Sequence, residues 1–148
     1  MKLLVAIDLS EQSRKIIDEA QKLAKRLQAT VVLLHVIAPA SPAIELPSDE
    51  EIVHLPDIEP DDEGGRESIQ LQSLAKQLQE DGIETSVAIV HHEEALAIIG
   101  ESEKQQADLI MLGSHGHGAL FHLLVGSVSE GVIRRSTCPV IIVPLKRP

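Results

Sequence analysis

Gly113-Ser114-His115-Gly116-His117-Gly118-Ala119-Leu120-Phe121-His122-Leu123-Leu124-Val125-Gly126-Ser127 follows a short apolar run, Asp108 to Leu112, and leads into Val128, Val132 and Ile133 at helical spacing. Strand, glycine loop and helix in that order let backbone N–H groups converge on an anion. Gly113 predicts a chain that leaves the strand in a conformation closed to other residues. Gly116 predicts close approach of a phosphate oxygen to the backbone, with no Cβ in the way. Gly126 and Ser127 then open the helix, whose free N–H groups and positive dipole end suit phosphate; the Ser127 hydroxyl either donates to that phosphate or caps the helix. A glycine-rich linker between two core elements fits the same glycines, so the surrounding elements have to decide.

Those elements alternate. Leu3 to Ile7 is a continuous apolar run, as expected of a strand covered on both faces of a parallel sheet. Asp8 and Ser10 follow, with Ser10 as the N-cap expected for a helix that reaches about Gln28. In it Ile16, Ile17, Ala20, Leu23, Ala24 and Leu27 make one apolar stripe. Val31 to Ile37 reads as a second buried strand. A helix from about Arg66 to Glu80 carries Ile69, Leu74, Ala75 and Leu78, and Asp81-Gly82 ends it. Ile83 to Val90 alternates like an exposed edge strand, and Glu94 to Gln105 reads as helix. The strand Asp108 to Leu112, the glycine loop, a last helix and the strand Val140 to Val143 complete the chain. The expectation is a single doubly wound α/β domain over residues 1–148, with a five-stranded, mostly parallel sheet and four helices. Such sheets bind ligands beyond the carboxyl ends of their strands, where strand order reverses. With that reversal between strands one and four, Asp8 and Gly113 face one crevice.

The pattern Ala107-Asp108-Leu109-Ile110-Met111-Leu112-Gly113-Ser114-His115-Gly116, then Gly126-Ser127, then Ser136-Thr137-Cys138-Pro139-Val140-Ile141-Ile142-Val143, resembles the universal stress protein family. Leu3 to Ser10 is similar to that family's first strand and D-x-S turn. The resemblance covers nearly the whole chain apart from a middle insertion, and it implies a Rossmann-like, adenine-nucleotide alpha hydrolase-like fold. The full G-x-x-G-x9-G-[ST] pattern marks the family's ATP-binding subgroup, so the resemblance implies ATP, or ADP or AMP, with Mg²⁺. By the same resemblance Asp8 contacts the base and Val36 offers its backbone to adenine. The phosphates fall to Gly113, Ser114, His115, Gly116, His117, Gly126 and Ser127. It further implies a homodimer paired through the last strand, at about residues 140–144. The chain departs from the family after strand three, where His91-His92-Glu93 stands in place of a glycine followed closely by a proline.

Composition narrows the partners. The net charge is −10 and Phe121 is the single aromatic residue, which argues against nucleic acid and against an anionic membrane. Residues Ala38 to Glu67 hold ten acids and one base, whereas the remainder holds thirteen acids and twelve bases, so the body is close to neutral. Ala38 to about Gly65, with five of the eight prolines, reads as a long acidic loop with a short helical piece around Asp49 to Val53. It is either a solvated insertion, or a lid, or a segment that docks a regulatory protein. Cys138 is the only cysteine, so no intramolecular disulfide forms, and no apolar run is long enough to cross a bilayer. A cytoplasmic protein is expected.

Each candidate residue has a plainer alternative. Asp8 accepts from an adenine amino group or holds a Mg²⁺-bound water, or else serves as a turn or capping acid. His115, His117 and His122 lie in or beside the loop and His91 and His92 close strand three, but no cysteine and no acid within the loop supports a metal site. They stand as polar or phosphate-facing side chains, and His35 and His54 carry no signal. Gly131 falls inside the last helix at a cost of about 1 kcal/mol relative to alanine, with no function attached. From Gln105 to Ile133 there is no Lys or Arg, so developing phosphoryl charge has no local cation. A nucleotide-dependent sensor or regulator is expected, with a slow ATPase or adenylate-handling enzyme as the alternative. The third reading is an interaction protein, AMP-bound or ligand-free, acting through the acidic loop.

Overall fold

The computed structural model describes residues 1–39, 63–114 and 126–145. Among them the apolar runs become β1 (Lys2–Ile7), β2 (Thr30–Ile37), β3 (Thr85–His91), β4 (Leu109–Gly113) and β5 (Val140–Val143). The stretches with helical spacing become α1 (Ser13–Leu27), α2 (Glu63–Glu80), α3 (Glu94–Lys104) and α4 (Ser127–Arg135). The sheet order is β3-β2-β1-β4-β5 and every pairing is parallel, so the "mostly parallel" expectation becomes wholly parallel. The expected short helix at Asp49 to Val53 lies outside the described residues. So do His115, Gly116, His117, His122 and His54.

Alternation along β1 divides the core. Leu3, Val5 and Ile7 pack with Ile16, Ile17, Ala20 and Ala24 of α1 and with Leu71, Ala75 and Leu78 of α2. Leu4 and Ala6 pack on the other face with Ala95 and Ile98 of α3 and Val132 of α4. This is the doubly wound arrangement: right-handed crossovers from β1 outward in either direction put the two helix pairs on opposite faces. β3 is an edge strand as expected, but it starts at Thr85. Ile83 precedes it and is buried under α2, while Val87 faces outward.

Three local expectations fail for physical reasons. In α2 the buried row is Leu71, Ala75 and Leu78, spaced four and three apart. Ile69 lies off that row and is 71% exposed. At the start of α1, Gln12 occupies the cap position without a side-chain bond, and Ser10 instead gives its carbonyl to the Ser13 N–H. Gly113 has no left-handed backbone; the one glycine with positive φ among the described residues is Gly82, at +80°, which ends α2. What Gly113 provides is space, since a Cβ there would stand 2.5 Å from Leu145 Cδ1 and 3.1 Å from Ile16 Cδ1.

Gly131 acquires a role in packing. A Cβ at this position would meet the Ala95 Cβ at 2.9 Å, closer than two methyl carbons approach, so the glycine lets α4 lie against α3. Alanine at position 131 gains about 1 kcal/mol in helix propensity. It also overpacks a contact with no flexible end to give way, which costs about 1–3 kcal/mol. Gly131→Ala is therefore expected to lower the melting temperature by about 2–4 °C, and Ala95→Gly in the same chain to restore part of the loss. A rise in melting temperature for the single variant would show that the two helices separate freely.

Candidate functional site

The sheet changes direction between β1 and β4, because β2 and β3 are added on one side of β1 and β4 and β5 on the other. Ile7 pairs with His35, so Asp8 stands level with Val36 one residue further on. Val5 pairs with Met111, and carrying that register on by two residues brings Gly113 level with Ile7. Asp8, Val36 and Gly113 thus share the carboxyl edge of three neighbouring strands, at the point where an open α/β sheet leaves a crevice. The Val36 side chain is partly buried and packs against the second core.

The turn after β1 is held from several sides. The Asp8 carboxylate accepts from the Ser10 N–H at 3.0 Å and from the Ser13 hydroxyl at 2.7 Å. These bonds are those of the turn acid that stood as the plainer reading of Asp8, and they fix where an exposed carboxylate points. Leu9 has φ of +59°, a left-handed conformation that costs a branched aliphatic residue about 1 kcal/mol or more. Its carbonyl takes a bond from Gln70 Nε2 of α2 at 3.2 Å, and its side chain packs on the first core. The first N–H groups of α1 are spent within the turn: Ser13, Arg14 and Lys15 bond to the carbonyls of Ser10, Glu11 and Gln12. On its outer side the turn forms one wall of a groove of about 450 Å³ between α1 and α2, lined also by Arg14, Gln21, Gln70 and Gln77.

The start of α4 is built differently. Gly126 is the N-cap, with φ −72° and ψ 165° and no side-chain cap bond, and Ser127 is the first helical residue. The Ser127 hydroxyl is therefore not the cap. Ser127, Val128 and Ser129 occupy the first turn, where an N–H has no acceptor within its own helix. Gly126 N–H donates to Ser114 O at 2.7 Å, so the residues that flank 115–125 are fastened to each other. The Ser114 N–H donates to Val143 O at 2.9 Å, and its hydroxyl oxygen accepts from Leu145 N at 3.0 Å. Ser129, which the sequence did not single out, is 2% exposed and donates its hydroxyl to Gly113 O at 2.8 Å. Ser114 and Ser129 together tie the end of β4 to β5 and to α4. No periodicity or spacing marks either as a fastener, because each bond joins segments brought together only by the fold.

Two further groups at this edge escaped the sequence reading. His35, 6% exposed, sits between β1 and α2 and contacts the Ile7 carbonyl. Lys15 reaches from α1 to the Pro144 carbonyl, just beyond β5. The departure at His91-His92-Glu93 has a structural use: the Glu93 carboxylate accepts from the N–H groups of Ala95 and Leu96 and caps α3. Among the described residues no helix is long and apolar enough to cross a membrane.

Comparison with known proteins accords with this geometry. A universal stress protein of Bacillus subtilis is 36% identical over 146 residues, which are 96% of this chain and 97% of the relative. The solved structure of a universal stress protein in complex with cAMP matches with a TM-score of 0.68 at 21% identity, over 97% of this chain and 95% of that one. A universal stress protein of Archaeoglobus fulgidus in complex with dAMP matches with the same score, 0.68, at 19% identity, over 99% and 98%. Those two likenesses speak for the fold. The sequence profile of the universal stress protein family matches residues 1–144, and with the Bacillus relative it establishes that the chain belongs to that family.

Proposed function

We propose that this protein binds an adenine nucleotide, ATP first and ADP or AMP as lesser ligands, between the Asp8 turn and the segment Gly113 to Ser127, and that occupancy changes its affinity for a regulatory partner. The observation that carries the reading is the reversal of strand order between β1 and β4, which brings the Asp8 carboxylate to the same sheet edge as the strand end that leads to α4. Relatives with this fold in complex with cAMP and dAMP support an adenine ligand. The base goes to Asp8 and the Val36 backbone, and the phosphates to Gly113, Ser114, His115, Gly116, His117, Gly126 and Ser127. Bound nucleotide supplies the phosphate charge, neutralised in part by Mg²⁺. The protein supplies oriented N–H groups at the start of α4 and a fastened loop base, which favour an anion without any side-chain cation. With no Lys or Arg from Gln105 to Ile133, the site holds phosphate rather than driving rapid transfer.

Dimerisation through β5 belongs to the same reading. β5 pairs with β4 on one side, and Val140, Ile141 and Ile142 are only half buried. An apolar edge of that kind is normally covered, and a second copy of the strand would do so.

Two measurements test these statements. Gly126 has a φ open to any residue, so Gly126→Val probes the approach of phosphate and not backbone strain. Calorimetric titration of ATP, ADP and AMP with Mg²⁺ into protein stripped of ligand is expected to show binding that Gly126→Val weakens at least about tenfold, the loss of roughly 1.4 kcal/mol. Equal binding by both proteins would remove the loop from the site. Sedimentation is expected to give a dimer mass that dissociates on dilution, and a monomer mass at every concentration would end the β5 assignment.

A further inference from the structure

The proton balance between β2 and α2 bears on the nucleotide site. His35 Nδ1 lies 3.0 Å from Ile7 O. A carbonyl only accepts, so this nitrogen carries a hydrogen. The other nitrogen, Nε2, lies 3.5 Å from Glu67 Oε1, and Glu67 Oε2 is buried with no hydrogen-bond partner among the described residues. With Nδ1 protonated, an unprotonated Nε2 would set a lone pair against a carboxylate oxygen, two acceptors facing each other beside a buried Oε2. One further proton resolves the conflict, held on Nε2 as an imidazolium beside the carboxylate, or on Glu67 as an acid donating to Nε2. Loss of that proton pushes Glu67, and the start of α2, away from the ring.

The same turns of α2 hold the residues on both sides of Asp8. The Ile7 carbonyl, which His35 holds, belongs to the peptide that joins Ile7 to Asp8. Gln70, three residues after Glu67 on the same helix, donates to the carbonyl of left-handed Leu9. We infer that His35 and Glu67 form a proton-linked clamp on the Asp8 turn and so regulate nucleotide affinity at the site, an inference that rests on the nucleotide reading above. Protonated, the clamp closes and the turn is held for ligand. Deprotonated, α2 loosens, Gln70 moves with it, and Leu9 loses the donor that helps keep it in a strained conformation. Affinity is therefore highest at low pH and falls as pH rises.

Other charged groups near the pair are few. On β1, Asp8 follows Ile7, with its carboxylate bonded to Ser10 and Ser13. On β3, Ile89 is level with His35, and His91, level with Ile37, is exposed. On α2, Arg66 precedes Glu67 and is exposed. Among the described residues no charged side chain of α1 bonds to either member, and Glu67 is the one ion-pair partner of His35.

The test uses full-length wild type, Glu67→Gln and His35→Asn. Ring nitrogen and backbone amide resonances of the ligand-free proteins are followed from about pH 5 to 8, the range in which histidine charge changes. ATP affinity is measured at both ends of the range. In wild type the amides of Asp8, Leu9 and Ser10 are expected to shift with the His35 ring titration, and ATP affinity to fall about tenfold toward high pH. Glu67→Gln places an amide donor opposite an unprotonated Nε2 at any pH, so its affinity should stay high and flat. His35→Asn keeps a donor for Ile7 O but no titrating nitrogen, and should be flat as well. The titration of ATP's own phosphate is common to all three proteins, so the difference between them isolates the clamp. Turn amides that ignore the ring titration, or a wild-type slope retained in Glu67→Gln, would overturn the inference. Absence of ATP binding in every protein at every pH would defeat the nucleotide reading instead; amide shifts coupled to the ring in wild type but not in Glu67→Gln would then still uphold the clamp on the turn, and uncoupled shifts would overturn it.

Discussion

From Leu3 to Ile7 every residue of β1 is buried, three under the α1 and α2 layer and two under α3 and α4, and both edges of the strand are paired. A strand with no water on either face and a ladder on each side has no freedom to slip, since a shift of one residue would exchange its two sets of side chains. The sheet can then grow only outward, first to β2 and β3 and afterwards to β4 and β5. Right-handed crossovers assign one helix pair to each face. The chain that leaves β1 must therefore emerge where the two halves of the sheet part, and Asp8 is the first residue to do so. The position of the candidate site follows from the burial of a strand that does not itself touch ligand.

How much of this the sequence shows depends on how local each cause is. β1 from Leu3 and the whole of β5 are continuous apolar runs, and α1 shows its stripe without help from the rest of the chain. In α2, Ile69 and Leu71 are both apolar residues within one helix, and only the direction of the sheet decides that Leu71 is buried. Gly131 looks costly within its own helix and makes sense only against Ala95 on another. Gly113 was singled out for backbone freedom, whereas the structure uses its missing side chain beside Leu145 and Ile16. Glycine has both properties, and a sequence does not say which one is in use.

The candidate site divides in the same way. Gly126 and Ser127 at the opening of α4 were legible from glycine spacing, because a helix that starts at a glycine leaves that residue as its trace. The hydroxyls that fasten the end of β4, on Ser114 and Ser129, leave no such trace, because a serine that bonds to a distant carbonyl or N–H resembles any other serine. His35 was silent for the same reason: its partners, Ile7 O and Glu67, come from β1 and from a helix beyond the acidic insertion.

That insertion and the site are linked by topology. The chain leaves the sheet at Ile37, the carboxyl end of β2, and re-enters the fold at Glu63, the first residue of α2. Parallel strands all end at the same edge, so the residues that flank the insertion stand on the side of the sheet where Asp8 and Gly113 lie. Within two turns of its start, α2 meets His35 through Glu67 and Leu9 through Gln70. Much of the chain's net charge of −10 is carried by the sequence between β2 and these contacts. Screening confines its field to about 8–10 Å at physiological salt, so its effect at the Asp8 edge is set by local distance and not by the total. Direct contacts act differently: Glu67 on His35 and Gln70 on Leu9 join the first turns of α2 to the residues around Asp8.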